Sequence, residues 1–235
     1  IRYEIETRVL EPNRRRDDFW WMGFGSRRVN NWNPWINSNW LTCTLLQVEG
    51  EERVETVQKI IRSLDVFIDT YPSDGGCDEG PGYWGRAAAS LFDCLELLSL
   101  GTNDSISVYD EPLIARMASF IYRTHISQEW YLNFADASAR VKPSPYLVYK
   151  FGQRIGDPKM EAFGASLISA SGPGRGDTLQ RYLPKLFSDD TGEQSTGAIP
   201  YESQVWLDQI EVMCARESQG TAEGFFLGAK GGHNA

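Results

Sequence analysis

Apolar residues return at steps of three and four throughout residues 33 to 170, and this period constrains the chain more than any other feature. Val54, Val57, Ile60, Ile61, Leu64 and Phe67 lie at that spacing. They share one face of a helix and predict an amphipathic segment ending near Tyr71-Pro72. An earlier helix is predicted to open at Asn33-Pro34 and run through Leu41, Leu45 and Leu46 to about Val48. Its Asn would cap the free N–H groups and its Pro has no N–H to leave unpaired. A third spans about 82 to 99 on Ala87 to Ala89, Leu91, Leu95 and Leu98, stopping near Gly101. Glu111-Pro112 opens a fourth through Ile114, Met117, Ile121 and Tyr122, and further helical patterns cover about 144 to 155 and 158 to 170.

Short loops between these segments, without strand patterns among them, predict a mainly α layer of stacked antiparallel helix hairpins. The composition changes near Ser171-Gly172-Pro173-Gly174, read here as a linker: its glycines lack the Gly-Lys-Ser/Thr ending of a phosphate loop. One more helix is predicted at about 177 to 187. Gln204 to Cys214 and Phe225-Phe226-Leu227 then read as strands, from β-formers in partial alternation. Two domains follow, 1–172 helical and 173–235 linker plus the start of a β domain. Two or three strands do not close a sheet domain by themselves, so the chain is expected to stop within that domain.

Charge narrows the partners. A net charge of −9 opposes non-specific nucleic-acid binding, which draws on broad basic surfaces. Arg14, Arg15, Arg16, Arg27 and Arg28 could form a local basic pocket for an acidic ligand, or simply a solvated face. Cys43, Cys77, Cys94 and Cys214 form no CxxC pair, and His125 and His233 lie far apart, so no metal or other cofactor is expected in this chain. No run of 18 apolar residues is present, so no membrane span is expected. The chain starts at Ile1 without a charged n-region and apolar h-region, as a mature or trimmed product would.

Two segments concentrate chemistry: Asn30-Asn31-Trp32-Asn33-Pro34-Trp35-Ile36-Asn37 and Asp78-Glu79-Gly80-Pro81-Gly82-Tyr83-Trp84-Gly85-Arg86. Asn30 and Asn31 precede the cap. An amide donates to a carboxylate, and a helix N-terminus favours anions, although both residues also suit a plain turn. Trp32 and Trp35 suit either stacking on sugar rings or packing of the helix start. Tyr83, at the start of a helix with Arg86 three residues on, suits proton transfer in a cleft; the bland alternative is a half-buried aromatic. Glu79 reads as a helix cap or an Arg86 partner before it reads as an acid, and Asp78 is less distinctive still. Asp136, in the polar stretch Asn133 to Ser138, could hold an arginine or sit in a surface turn. His125 reads as a structural histidine at a helix end, where an imidazolium suits the dipole.

Asn31-Trp32-Asn33, Asp74-Gly75-Gly76 with Glu79-Gly80-Pro81-Gly82-Tyr83-Trp84-Gly85, and Phe225-Phe226-Leu227 with Ala229-Lys230-Gly231-Gly232-His233-Asn234 resemble the heparinase II/III-like polysaccharide lyases. The resemblance runs from about residue 18 onward. It implies an (α/α) toroid followed by the first strands of an antiparallel β-sandwich, and β-elimination on uronic-acid polysaccharides such as glycosaminoglycans. It would make Asn31 the carboxylate neutraliser and Tyr83 the proton carrier, with Asn30, Trp32, Trp35, Glu79, Trp84 and Arg86 lining the groove. It also implies a periplasmic or secreted location. The family's His-Asn-His-Asn-Asp type motif, with its catalytic histidine and, in some members, a zinc ligand, would follow Ala235, and His233 is not promoted into that role. The parent protein is therefore expected to be the active lyase, any zinc to belong to the missing β domain, and this fragment to be inactive. A toroid glycoside hydrolase, joining Asp78 or Glu79 to a second acid such as Asp136, and a non-catalytic glycan-binding protein remain as alternatives.

Overall fold

The computed structural model describes residues 1–171, 178–190, 192 and 198–232. It is mainly helical, with two small antiparallel sheets. In chain order come α1 (Arg2–Ile5), a π turn (Glu6–Leu10), α2 (Glu11–Arg15), a 3-10 turn (Trp20–Met22), α3 (Trp32–Gln47), α4 (Gly50–Asp69), α5 (Pro81–Trp84) and α6 (Ala88–Thr102). There follow α7 (Pro112–Arg123), β1 (His125–Ser127), β2 (Trp130–Tyr131), α8 (Pro145–Ile155), α9 (Pro158–Ser171), α10 (Leu179–Leu186), β3 (Gln204–Leu207), β4 (Val212–Arg216) and β5 (Phe226–Lys230). The chain divides into two compact units, Ile1–Tyr71 with Arg86–Ser107, and Pro72–Gly85 with Val108–Ala235. The compositional boundary near 172 falls outside the described residues.

In the first unit α3 packs against both α4 and α6. The stripe read from α4 is buried at Ile60, Leu64 and Phe67, with Val54 exposed. Alpha-6 is buried on most sides, through Ala88, Ala89, Leu91, Phe92, Cys94, Leu95 and Leu98, as a helix apolar nearly all round requires. Alpha-3 brings polar groups into that core. The Asn33 amide donates to the carbonyls of Trp21 (2.8 Å) and Ser63 (2.9 Å), and Asn37 donates to the Ser63 hydroxyl (2.9 Å). Buried donors are tolerated when their partners are in place, and both amide NH2 groups have them, although the Asn37 Oδ1 is buried and accepts no hydrogen bond among the described residues. This corrects the capping role expected of Asn33: the cap falls on Asn31, two residues earlier, so Asn33 lies inside the helix and joins α3 to α4 and to the 3-10 turn.

The N-terminal fifteen residues, for which no helix was predicted, are tied down by Lys59 on α4. Its ammonium donates to the carbonyls of Asn13 (2.9 Å), Arg14 (3.1 Å) and Arg16 (2.8 Å) and pairs with Asp17 (2.7 Å). These are the carbonyls that the end of α2 leaves without helical partners, and a cation suits the negative end of the dipole.

In the second unit α8 and α9 form a tight hairpin across Gly156-Asp157. A Cβ on Gly164 would stand 2.3 Å from the Tyr149 backbone nitrogen, and one on Gly152 would stand 2.5 Å from that of Glu161, so only glycines let the two backbones approach this closely. Asp157 accepts from the Lys159 N–H (2.9 Å), and the Tyr122 hydroxyl donates to its other oxygen (3.1 Å). Strands β3, β4 and β5 pair antiparallel in that order. The segment from 204 to 214, read as strand, divides between two strands, β3 and β4, that turn back at Asp208–Glu211, where Glu211 has φ 51°.

His125 corrects another expectation. It lies in β1, paired with Tyr131 of β2, not at a helix end. Its Nε2 donates to the Gln128 carbonyl (2.9 Å), and its ring packs against Tyr131, Phe163 and Tyr201. Burial, aided by the nearby Arg216 charge and opposed by the Gln128 hydrogen bond, lowers its pKa and favours the neutral imidazole over the imidazolium anticipated from the helix dipole.

Candidate functional site

The first unit gathers an aromatic and cationic surface around the start of α3. The 3-10 turn sends Trp21 inward and leaves Trp20 half-buried. Trp32 opens α3 with 48 % of its surface exposed, and Trp35, three residues on, lies on the same face. The rings form a run: Trp20 to Trp32 at 6.0 Å and 48°, then Trp32 to Trp35 at 6.1 Å and 72°. A guanidinium closes each end, Arg27 at 4.2 Å over Trp20 and Arg86 at 4.3 Å over Trp35. These are cation–π distances.

The other arginines of the anticipated basic pocket are spoken for. Arg14 pairs with Glu6 and with Glu52 (3.1 Å), Arg15 with Glu11 (2.7 Å), and Arg16 with Asp18 (2.8 Å). Arg27 and Arg86, both exposed, have neither an ion pair nor a hydrogen bond among the described residues; their contacts are with the indole rings. A cavity of about 750 Å³ between the N-terminal helices and α4 is lined by Glu6, Glu11, Arg14, Asp17, Glu52 and Lys59, among others. Arg14 and Lys59 in its wall already have acid partners, so we place the candidate site at the tryptophans.

The two asparagines before the helix differ. Asn31 holds the cap position, and its carbonyl accepts the first helical bond from Trp35 N (3.2 Å). It is only 3 % exposed. Asn30 is half-buried, and its Oδ1 accepts the Trp32 N–H at 3.1 Å. That bond orients the amide: its Nδ2, with two N–H donors, makes no other hydrogen bond among the described residues and is left for a ligand.

The second unit holds the other sequence candidates. Helix α5 has four residues: Pro81 and Trp84 are buried and Gly82 has no side chain, so half-buried Tyr83 is its one presented functional group. Trp84, expected in the groove, is a core residue instead. It is 1 % exposed, and its Nε1 donates to the Met117 carbonyl at 2.8 Å. The α5 cap position falls on Gly80 rather than Glu79, and Glu79 and Asp78 are both half-buried. Asp136 is exposed in the turn after Phe134.

The glycine-rich segment before α5 is closely packed. Asp74 is buried; one oxygen accepts from Gly76 N (2.8 Å) and the other from Gln209 N (2.7 Å) and Ile210 N (3.1 Å). Gly75 has φ 77°, and a Cβ there would stand 2.3 Å from the Arg116 carbonyl carbon. Gly80 has φ 88°, and its Cβ would meet that of Ala137 at 2.5 Å. Both positions require glycine for conformation and for space.

Among the described residues no group of three or more His, Cys, Asp or Glu side chains is disposed to hold a metal, and no helix is long and apolar enough to cross a membrane. His233 and Asn234 lie outside the described residues. Trp20 is the site residue that sequence reading passed over; an indole followed seven residues later by Arg27 was the available signal. No family model matches the chain, and no curated protein matches it.

Proposed function

We propose that the protein belongs to a lyase that cleaves an acidic, uronate-containing polysaccharide by β-elimination. The observation that carries this reading is the Trp20–Trp32–Trp35 surface, closed by two guanidiniums without ion pairs among the described residues, beside the Asn30 amide, whose Nδ2 makes no hydrogen bond among those residues. Indoles take the apolar faces of sugar rings, while the guanidiniums and the amide take carboxylates. The reading includes an (α/α) toroid continued by the start of a β-sandwich, two domains bounded near residue 172, and a periplasmic or secreted location.

Beta-elimination removes the proton α to the uronate carboxyl. Electrons from that C–H bond form the C4=C5 double bond, and the C4–O glycosidic bond breaks, its oxygen taking up a proton. Charge builds on the carboxylate during the first step, and donors placed there lower the barrier. An asparagine at the start of α3 serves as that donor. Asn31 is the match by resemblance, whereas Asn30 presents its N–H groups. Tyr83 carries the proton to the leaving oxygen while a second base, a histidine by the resemblance, takes the α proton; on other stereochemistries Tyr83 takes the α proton itself and passes it to the leaving oxygen.

Incubating the full-length protein with heparan sulfate, chondroitin sulfate, alginate or polygalacturonate is expected to raise ultraviolet absorbance as the unsaturated product forms. Tyr83→Phe should abolish the rise. No rise with any of these polymers sinks the proposal. The same surface also supports a second reading, a glycan-binding protein without chemistry. Saturable binding without turnover, unchanged in Tyr83→Phe, would favour it.

A further inference from the structure

We infer that the tryptophan surface is a two-point anion receptor. It takes an acidic oligosaccharide with one ring on Trp32 and acidic groups on both sides of that ring, one held by Arg27 and the other by Arg86. The inference rests on the acidic-glycan reading above and specifies how such a chain lies on the site.

Symmetry about Trp32 is the first argument. On each side stands one further indole, Trp20 or Trp35, and over each of those a guanidinium at 4.2 or 4.3 Å. A ligand with a single acidic group would use one end and leave the other idle. The second argument is the state of the two cations. Arg14, Arg15 and Arg16 have carboxylate partners in the same unit, whereas Arg27 and Arg86 have indoles. A contact through the guanidinium carbon with a ring uses none of its N–H donors in an ion pair, and those donors form the fork that receives a carboxylate or sulfate bidentately. Third, the chain carries a net charge of −9, and against that charge two cations without ion pairs among the described residues flank an exposed indole. An acidic chain is drawn to such a place, and a neutral glycan gains nothing from it. Aromatic rings with arginines also serve single-stranded nucleic acids, but those bind along broad basic grooves, which this acidic protein is not expected to offer.

The test uses tryptophan fluorescence to titrate the full-length protein, as wild type and as Tyr83→Phe, with hexagalacturonate, neutral chitohexaose and a single-stranded hexanucleotide. Hexagalacturonate should bind, with affinity falling as salt is added. Arg27→Gln and Arg86→Gln should each weaken it about tenfold, the size expected for one charge-assisted contact, and the double variant should lose more and flatten the salt dependence. Both arginines are exposed and without ion pairs among the described residues, so the variants should fold; circular dichroism checks this. Monomeric galacturonate should respond to one arginine variant and not to both. Equal binding of chitohexaose, tighter binding of the oligonucleotide, or indifference of hexagalacturonate to both arginine variants would overturn the inference. The two proposals fail separately: cleavage with indifferent arginines refutes the receptor alone, and arginine-dependent binding without cleavage refutes the lyase alone.

Discussion

Replacing Asp74 with alanine removes the acceptor of three backbone N–H groups, those of Gly76, Gln209 and Ile210. Gly76 and Ile210 are buried, and Gln209 is exposed. Water can replace the carboxylate at Gln209 but not at the other two. An unsatisfied buried donor costs about 1–3 kcal/mol, so Asp74→Ala, which leaves two of them, should destabilise the protein by about 2–6 kcal/mol. Asp74→Asn should fall between, because its amide keeps one accepting oxygen and turns an NH2 toward the remaining donors. In urea, where small proteins lose about 1–3 kcal/mol of stability per molar, the alanine variant should unfold at least about 0.7 M earlier. Hydrogen exchange gives the local measurement: the Gln209 and Ile210 amides should lose protection in Asp74→Ala while those of α4 retain it. An alanine variant within about 0.5 kcal/mol of wild type, the range of ordinary surface changes, would refute the argument. The three N–H groups would then have found other partners, and Asp74 would not be what ties the glycine-rich loop to the β3–β4 turn.

Two further outcomes follow from packing and from titration. Gly164→Ala puts a methyl 2.3 Å from the Tyr149 nitrogen, a clash with backbone that repacking cannot relieve locally; a loss of about 1–3 kcal/mol or more is expected, measured by chemical denaturation. His125 has its pKa lowered by burial, so the unfolded chain binds its proton more readily. Its contribution is therefore intact above the unfolded value of about 6.5 and declines as pH falls below it. His125→Gln should show a shallower loss of stability than wild type between about pH 7 and 5, and identical slopes would contradict the burial argument.

The helices were legible where one rule acted alone. Alpha-4 and α7 show their buried faces as a bare three-and-four period, and Pro112, Pro145 and Pro158 mark the first residues of α7, α8 and α9 because proline suits that position. Where tertiary packing chose among local options, the pattern was silent. The helix predicted over 82 to 99 is interrupted between α5 and α6, with Ala87 at φ −94° and ψ −97°, and nothing in Gly85-Arg86-Ala87 announces it. Asn33 reads as a cap because the Asn-Pro pair is the common signal, yet the hydrogen bonds waiting on Trp21 and Ser63 come from elements distant in sequence. The site shows the same limit. Trp32 and Trp84 are the same residue type in equally polar surroundings, and only the third dimension makes one an exposed platform and the other a core anchor. Arg86 was noticed beside Tyr83, but its ring partner is Trp35, which periodicity along the chain could not reveal.

The packing around Asp74-Gly75-Gly76 and Gly80 bears on what this stretch can signify as a fingerprint. Its residues are held by steric and hydrogen-bonding demands of the scaffold, not by any group that a ligand would touch. A descendant that lost its chemistry would still keep the stretch intact, because changing it unravels the loop. Trp32, Arg27 and Arg86 stand under no such demand among the described residues and are free to drift once selection on the ligand is relaxed, and Asn30 is held only by the bond its oxygen accepts from Trp32 N–H, which an aspartate would also accept. In related sequences it is therefore those four positions, rather than the glycines, that should separate working proteins from silent ones.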